Sequence, residues 1–262
     1  MTPRRSAMAL LEPLGLLLAL LALWWAATHG QWVSKVFVPT PEATLESLLQ
    51  GLGLAPGGGD AAGALARFSL ATTGRMLAGW GLATLLGVLL GALIGGSATA
   101  RAWLQPTLEF IRPLPASAVI PLAISIFGLS GGMVLAVVSF GAMWPVLLAT
   151  VHGLASVHPR LREVAAALQL SRLAFAWKIG LPNALPDILA GMRLSMTVSL
   201  IVSVVGEMIA SQEGLGQAIL LAARAFHASE LFAGIVLLGA IGFVSNALLA
   251  LAEGRLLRWQ RR

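Results

Sequence analysis

Six long stretches of the chain lack the polar–apolar alternation that a water-facing helix or strand shows. They cover residues 14–28, 75–94, 107–127, 133–152, 188–210 and 231–252. Runs of about 20 mostly apolar residues match the hydrocarbon thickness of a bilayer when coiled as α-helix. The pattern therefore predicts an all-α integral membrane protein with six transmembrane helices. Trp24 and Trp25 lie near one end of the first span, where indole rings favour the membrane interface. The third span is broken by Pro113, Pro115 and Pro121. Between the first two spans, residues 41–49 read as a short amphipathic interfacial helix. Pro56, Gly57, Gly58 and Gly59 after them read as a flexible linker with no phosphate-cradle signal.

Composition sharpens this picture. Of 262 residues, 58% are hydrophobic and 11% charged. A soluble domain carries roughly 25% charged residues, so this surface is not built for water. The absence of cysteine excludes disulfides, thiol catalysis and Cys-ligated metals. A net charge of +6 would also suit nucleic acid, but its placement argues for membrane orientation. With a cytoplasmic N-terminus, 13 of the 17 Lys and Arg fall on the cytoplasmic side: Arg4, Arg5, Arg101, Arg112, Arg160, Arg162, Arg172, Lys178, Arg193, Arg255, Arg258, Arg261 and Arg262. Lys35, Arg67, Arg75 and Arg224 remain outside. Positive charge accumulates on the cytoplasmic side of membrane proteins, so both termini are expected there. Arg4 and Arg5 before an apolar run, with Ala26 and Ala27 beyond it, also resemble a cleavable signal peptide. Glu12 and Pro13 interrupt that run and favour an uncleaved helix. The chain reads as one transmembrane domain over 1–262. It comprises a first span with outer segment (1–65), a core (66–252) containing a cytoplasmic loop (156–187), and a basic tail (253–262).

That loop predicts two short helices joined by a turn. Pro159 suits the first position of a helix, where its missing N–H is not needed. Ala165, Ala166 and Ala167 favour helix, Ser171 can cap a second one, and Pro182 and Pro186 are expected to stop it. Arg160 and Arg162 occupy the first turn, where the macrodipole disfavours cations. Small Ala165 and Ala166 allow close approach. Both fit a docking element; a solvated loop that only enforces topology is the alternative.

The loop resembles the cytoplasmic signature of ABC importer permeases. Glu163, Val164 and Ala165 stand at its Glu-Ala-Ala places and Gln169 at its glycine place. Ile179, Leu181 and Pro182 fall in register at its end. Val164 and Gln169 depart from the pattern, and Gln169 bears on the tightness of the turn. Elsewhere the chain resembles the branch handling aliphatic sulfonates, taurine and nitrate. The segments concerned are Val38-Pro39-Thr40-Pro41, Arg112-Pro113-Leu114-Pro115, Ile120-Pro121-Leu122, Phe127-Gly128, Ala190-Gly191-Met192-Arg193, Gly206-Glu207-Met208-Ile209 and Gly214-Leu215-Gly216. Ala116, Ser117, Val119, Ile126 and Ser130 depart from that branch and leave the solute open.

The resemblance implies a type I importer permease of a bacterial inner membrane, not itself an enzyme. Two permease chains would form the pathway, as homodimer or heterodimer. Two separate ATPase subunits would use ATP and Mg, and an external binding protein would deliver solute. This chain would bind no cofactor. Coupling would fall on Glu163, Val164, Ala165, Ala166, Gln169, Ile179, Leu181 and Pro182. The sequence has no G-x-x-x-x-G-K-[ST] phosphate loop, so energy would arrive from a partner.

Within the spans, Ser195, Ser199, Ser203 and Glu207 recur every four residues and form a polar stripe along the fifth. Ionisable groups at membrane depth are functional candidates. The stripe either borders the solute pathway or packs between helices, with serines bonding their own helix and Glu207 near the outer interface. Gly87, Gly91 and Gly95 suit close helix packing in lipid. The prolines of the third span free carbonyls that must be buried in protein or face a cavity. His29, His152, His158 and His227 are scattered, without metal-ligand spacing. An ion-coupled secondary transporter would show internal repeats and more membrane-depth carboxylates. A membrane enzyme would show a cluster of catalytic polar groups. Neither pattern is found.

Overall fold

The computed structural model describes residues 3–56 and 62–258, with side chains from Glu12 onward, those of Pro13 and Arg172 excepted. Gly57, Gly58, Gly59, Arg261 and Arg262 lie outside the described residues, as do the side chains of Arg4, Arg5 and Arg172. The described residues form helices joined by short turns. They are α1 (Pro3–His29), α2 (Pro41–Gly51), α3 (Ala64–Gly95), α4 (Ala98–Ile111), α5 (Ile120–Phe127), α6 (Gly131–Ala155), α7 (Pro159–Ala167), α8 (Arg172–Phe175), α9 (Leu181–Ala210), α10 (Leu215–Arg224) and α11 (Ala228–Leu256). Four starts share one local cause. The hydroxyls of Thr40, Ser97, Ser130 and Ser171 accept the otherwise unpaired N–H groups of Ala43, Ala100, Met133 and Ala174, each at 3.2 Å.

Residue contacts divide the chain into two compact units, Met1–Ser69 with Ala218–Leu238, and Leu70–Gln217 with Gly239–Arg262. In the first, the Trp24 indole N–H donates to the Pro39 carbonyl at 2.9 Å, and the Trp24 ring lies 5.8 Å from that of Phe232. These contacts tie the end of α1 to the chain leading into α2 and to the start of α11. The helix expected over 41–49 appears as α2.

The second unit is built around α6. Glycines on α3 let it lie close against α6. A Cβ on Gly87 would stand 2.9 Å from Val146, one on Gly91 2.6 Å from Thr150, and one on Gly95 3.1 Å from Leu154. The partner number rises with the glycine number, so α3 and α6 run parallel. On the other side, Ser195 of α9 meets Ala142, Gly191 meets Ala149, and Ala184 meets Gly153. Here the numbers run oppositely, so α9 is antiparallel to α6. Met133, Val134, Val137, Val138 and Ile120 pack with Val202 and Ala210 into the apolar core around it.

This register settles the third span. Helices α4 and α5 are long and apolar enough for one span only together, and they meet at 86°. Since α3 and α6 are parallel, the chain between Gly95 and Gly131 must return to the face where α3 began. The bent pair is therefore a crossing. Residues 107–127 do not form one continuous helix as expected. Pro113 and Pro115 cannot donate to a helical ladder, and the chain turns there before a 3₁₀ turn (Ala116–Val119) restarts it. With α3, α6, the rod described next and α11, five crossings are present among the described residues. Helix α1 is a sixth candidate of 27 residues, whose apolar described stretch Leu14–His29 is shorter than a full span.

Two further boundaries differ from expectation. The second span begins in a helix that starts at Ala64 rather than Arg75. Pro182 and Pro186 do not stop the loop's second helix; both lie inside α9. Helix α8 passes through a π turn (Ala176–Gly180) directly into α9, giving one apolar rod, Leu173–Ala210, of 38 residues. In the π turn the Leu181 N–H bonds the Ala176 carbonyl, five residues back. That wider turn takes the carbonyls away from the Pro182 ring, relieving the clash a regular α-turn would impose.

The α3–α6 contact yields a test. Gly91→Leu is expected to lower stability by about 1–3 kcal/mol through overpacking, seen as a lower unfolding midpoint in detergent. Gly74→Leu, at a position with nothing within 4 Å, should shift it far less.

Candidate functional site

Two polar regions stand at opposite ends of the rod. The first is the loop. Helix α7 starts as expected, with Pro159 in its first turn and the His158 ring Nδ1 accepting the Arg160 N–H at 3.2 Å. It ends in a Schellman arrangement: Leu170 N–H bonds Ala165 O and Gln169 N–H bonds Ala166 O, both at 3.0 Å. The left-handed position of that motif, where glycine is usual, is Gln169, with φ +51°. The turn is thus as tight as the pattern requires, and a residue with a Cβ bears the steric cost.

Arg162, expected to face a partner, donates to the Ala155 carbonyl at 3.1 Å. The C-terminal end of α6 is a site that favours a cation. Asn183 donates to Gly153 O at 3.0 Å and so fastens the start of α9 to the same end. Of the eight loop candidates, Ala165 is buried, and Ile179 and Leu181 are half-buried. Glu163, Val164, Ala166, Gln169 and Pro182 are exposed. Around buried Ala165, Leu161, Val164 and Leu168 present a ridge of exposed apolar side chains, continued by Leu173 and Trp177.

The second region is the far end of α9. Ser195, Ser199, Ser203 and Glu207 are all fully buried within the chain. Ser195 donates across to Ala142 O of α6 at 2.6 Å, whereas Ser199 donates to Met196 O of its own helix at 2.8 Å. The stripe faces the interior of the second unit, not open space. Glu207 anchors a compact polar cluster. One carboxylate oxygen pairs with Arg75 at 2.6 Å. The other accepts from the Thr72 hydroxyl at 2.9 Å and the Gly216 N–H at 3.0 Å. Thr72 in turn accepts the Leu215 N–H at 2.9 Å. The first two N–H groups of α10 are thereby satisfied by residues of α9 and α3, and a carboxylate sits where the helix dipole favours it.

The glycines nearby follow from this geometry. A Cβ on Gly214 or Gly216 would collide with the Glu207 side chain or the Val204 carbonyl, and one on Gly206 would press within 2.9 Å of Val134. Sequence reasoning missed Thr72 and Arg75, because Arg75 read only as the edge of a span. It also missed Leu161, Leu168, Leu173 and Trp177, ordinary apolar residues whose exposure is visible only in three dimensions. No group of three or more potential metal ligands converges among the described residues.

Comparison with known proteins bears on both regions. Residues 83–261 match the family described as the inner membrane component of binding-protein-dependent transport systems. The taurine transport system permease protein TauC of Escherichia coli (strain K12) is 32% identical over 246 residues, covering 94% of this chain and 88% of that protein. The putative aliphatic sulfonates transport permease protein SsuC of Bacillus subtilis (strain 168) is 34% identical, covering 71% and 67%. A solved amino acid ABC transporter with histidines superposes with a TM-score of 0.58 at 19% identity, over 73% of this chain and 94% of that one. That likeness concerns the fold.

Two tests follow from the geometry. Arg75→Met should destabilise the protein by about 3–5 kcal/mol, because it strands a buried carboxylate, while Arg75→Met combined with Glu207→Met should recover much of the loss. Unfolding midpoints of the two single variants and the pair provide the cycle. Gln169→Gly should raise stability by roughly 1 kcal/mol by relieving the left-handed backbone, read in the same assay.

Proposed function

The chain belongs to the family of inner-membrane components of binding-protein-dependent transport systems, the permease subunits of ATP-driven importers, and on that premise we propose how it is driven and what it carries. Helix α7 docks on a separate ATP-hydrolysing subunit. The observation that carries this reading is the exposed ridge of Leu161, Val164 and Leu168, extended by Leu173 and Trp177. Leu161, Val164 and Leu168 lie on α7, outside the long apolar helices, beside exposed Arg160, Glu163 and Gln169. An apolar patch in water marks a protein-interaction surface. Glu163, Val164, Ala166, Gln169 and Pro182 face the partner, while Ala165, Ile179 and Leu181 hold the loop to the spans.

This face of the molecule is the cytoplasmic one. It carries Arg101, Arg160, Arg162, Lys178, Arg193, Arg255 and Arg258, as the charge asymmetry of membrane proteins requires. Both termini lie on that side. ATP and Mg are used by the partner, two copies of which serve two permease chains. This chain is most simply paired with a second copy of itself, and a binding protein delivers solute from outside.

Force received at α7 and α8 passes through the π turn into α9. At 1.5 Å per residue the rod is about 57 Å long, against about 30 Å of hydrocarbon. It therefore reaches well beyond the membrane at its loop end, and a push there tilts a span. Within the buried serine stripe, Ser195 keeps α9 in register with α6 during that movement. The solute is a small sulfonate of the taurine class. Support comes from the relatives named for taurine and aliphatic sulfonates, the first of which aligns along nearly the whole chain.

Purification of this chain from its native host should bring an ATPase subunit with it, and Glu163→Arg should reduce the recovered ATPase several-fold without shifting the unfolding midpoint. Vesicles containing the complete system should accumulate labelled taurine only when ATP is supplied. Recovery of the chain without an ATPase, or unaltered recovery with Glu163→Arg, would overturn the docking assignment. Absence of taurine uptake by an ATPase-bound complex would overturn the solute assignment alone.

A further inference from the structure

We infer that Thr72 and Arg75, acting with Glu207, are positioning residues that fasten the first turn of α10 to the far end of the driven rod, so that motion received at the loop is delivered to α10. This rests on the reading of α7 as the docking element of an ATPase. It concerns the other end of the same helix.

Three observations carry the inference. Helix α8 and Glu207 belong to one helical path, since α8, the π turn and α9 follow without a cap or loop between them, and α7 joins that path through the short turn at residues 168–171. The connection from α9 to α10 is only Ser211 to Gly214, and it folds around the Glu207 carboxylate. Ser211 adopts φ +51°, and the Gln212 N–H returns to the Glu207 backbone carbonyl at 3.1 Å. Finally, the side chain of Glu207 is shared. It serves α3 through Arg75 and Thr72 and α10 through Gly216, while Thr72 also takes the Leu215 N–H.

The sharing has a mechanical consequence. A carboxylate with no exposed surface has no water to replace a lost partner. When α9 tilts, the α10 N–H groups follow Glu207, because releasing them would leave them unpaired in an apolar surrounding. The tight fit of Gly214 and Gly216 against Glu207 leaves no room for the turn to slip. Arg75 retains 21% side-chain exposure, so its guanidinium is the member of the cluster able to exchange partners as α9 moves against α3. The cluster thus holds α10 to α9 through Gly216 and Glu207 and to α3 through the buried Thr72 hydroxyl, which also bonds Glu207, and Arg75 is its one adjustable member.

The chain's lack of cysteine makes the test direct. A single cysteine replaces Ala223, exposed on α10, or Ala167, exposed on α7, and carries an environment-sensitive fluorophore in the complete complex. The probe for the driven state is trapping with ATP and vanadate. In the otherwise unaltered complex both labels should change emission on trapping. Thr72→Val, which removes the shared hydroxyl at nearly constant volume, should abolish the change at 223 and keep it at 167. Thr72→Ser should restore both, and Glu207→Gln should behave like Thr72→Val. A response at 223 that survives Thr72→Val overturns the inference, as does failure of the Thr72 and Glu207 variants to accumulate, which would make the cluster a folding element only. Silence at 167 in the unaltered complex would instead count against α7 as the docking element.

Discussion

Inside a bilayer no water is available to a carboxylate, a hydroxyl or a broken backbone ladder, and each must find its partner within the protein. The polar cluster at Glu207 and the Ser195 contact answer that constraint, whereas the hydroxyls of Ser203 and Thr84 are buried without a partner. Glu207 would be untenable against lipid. It is tolerated because Arg75, Thr72 and the first turn of α10 supply one counter-charge and two hydrogen-bond donors. The glycines on either side of the turn exist because the carboxylate occupies the space their side chains would need. Ser195 answers the same demand by reaching the α6 backbone.

A complementary logic governs the opposite face. There α3 and α6 end, and their terminal carbonyls attract cations. Arg101 donates to the last carbonyl of α3 and Arg162 to that of α6, while Arg193 pairs with Glu253 between α9 and α11. Basic residues that read as topology signals are therefore also helix-end partners. Arg162 is satisfied internally in this way, and the exposed part of the loop sets the apolar ridge around Ala165 beside Arg160, Glu163 and Gln169. A surface made that way suits a docking groove better than it suits solvent.

The sequence made the broad architecture legible because bilayer thickness writes itself as apolar length. It also made α7 legible, since Pro159 and Ser171 act locally and the structure uses both for helix starts. The π turn was not legible. Proline rules assume a regular α-turn, and nothing in residues 176–180 announces that the turn widens and lets Pro182 and Pro186 continue the helix. The polar cluster was half legible. Glu207 stands out by charge alone, but Thr72 and Arg75 lie more than 130 positions away, and only the antiparallel packing of α3 and α9 brings them to it. Gln169 taught a related lesson: a departure from glycine did not alter the backbone angle, because the Schellman bonds around it impose that angle.

The account depends most on the loop facing the cytoplasm and meeting a second polypeptide there. A cysteine at Val164, the middle of the ridge, reports both points with a membrane-impermeant maleimide. The account expects no labelling in intact spheroplasts, rapid labelling in inverted membranes stripped of peripheral subunits, and protection once the ATPase subunit is added back. Labelling from the outside of intact spheroplasts, or equal labelling with and without the ATPase, would contradict it.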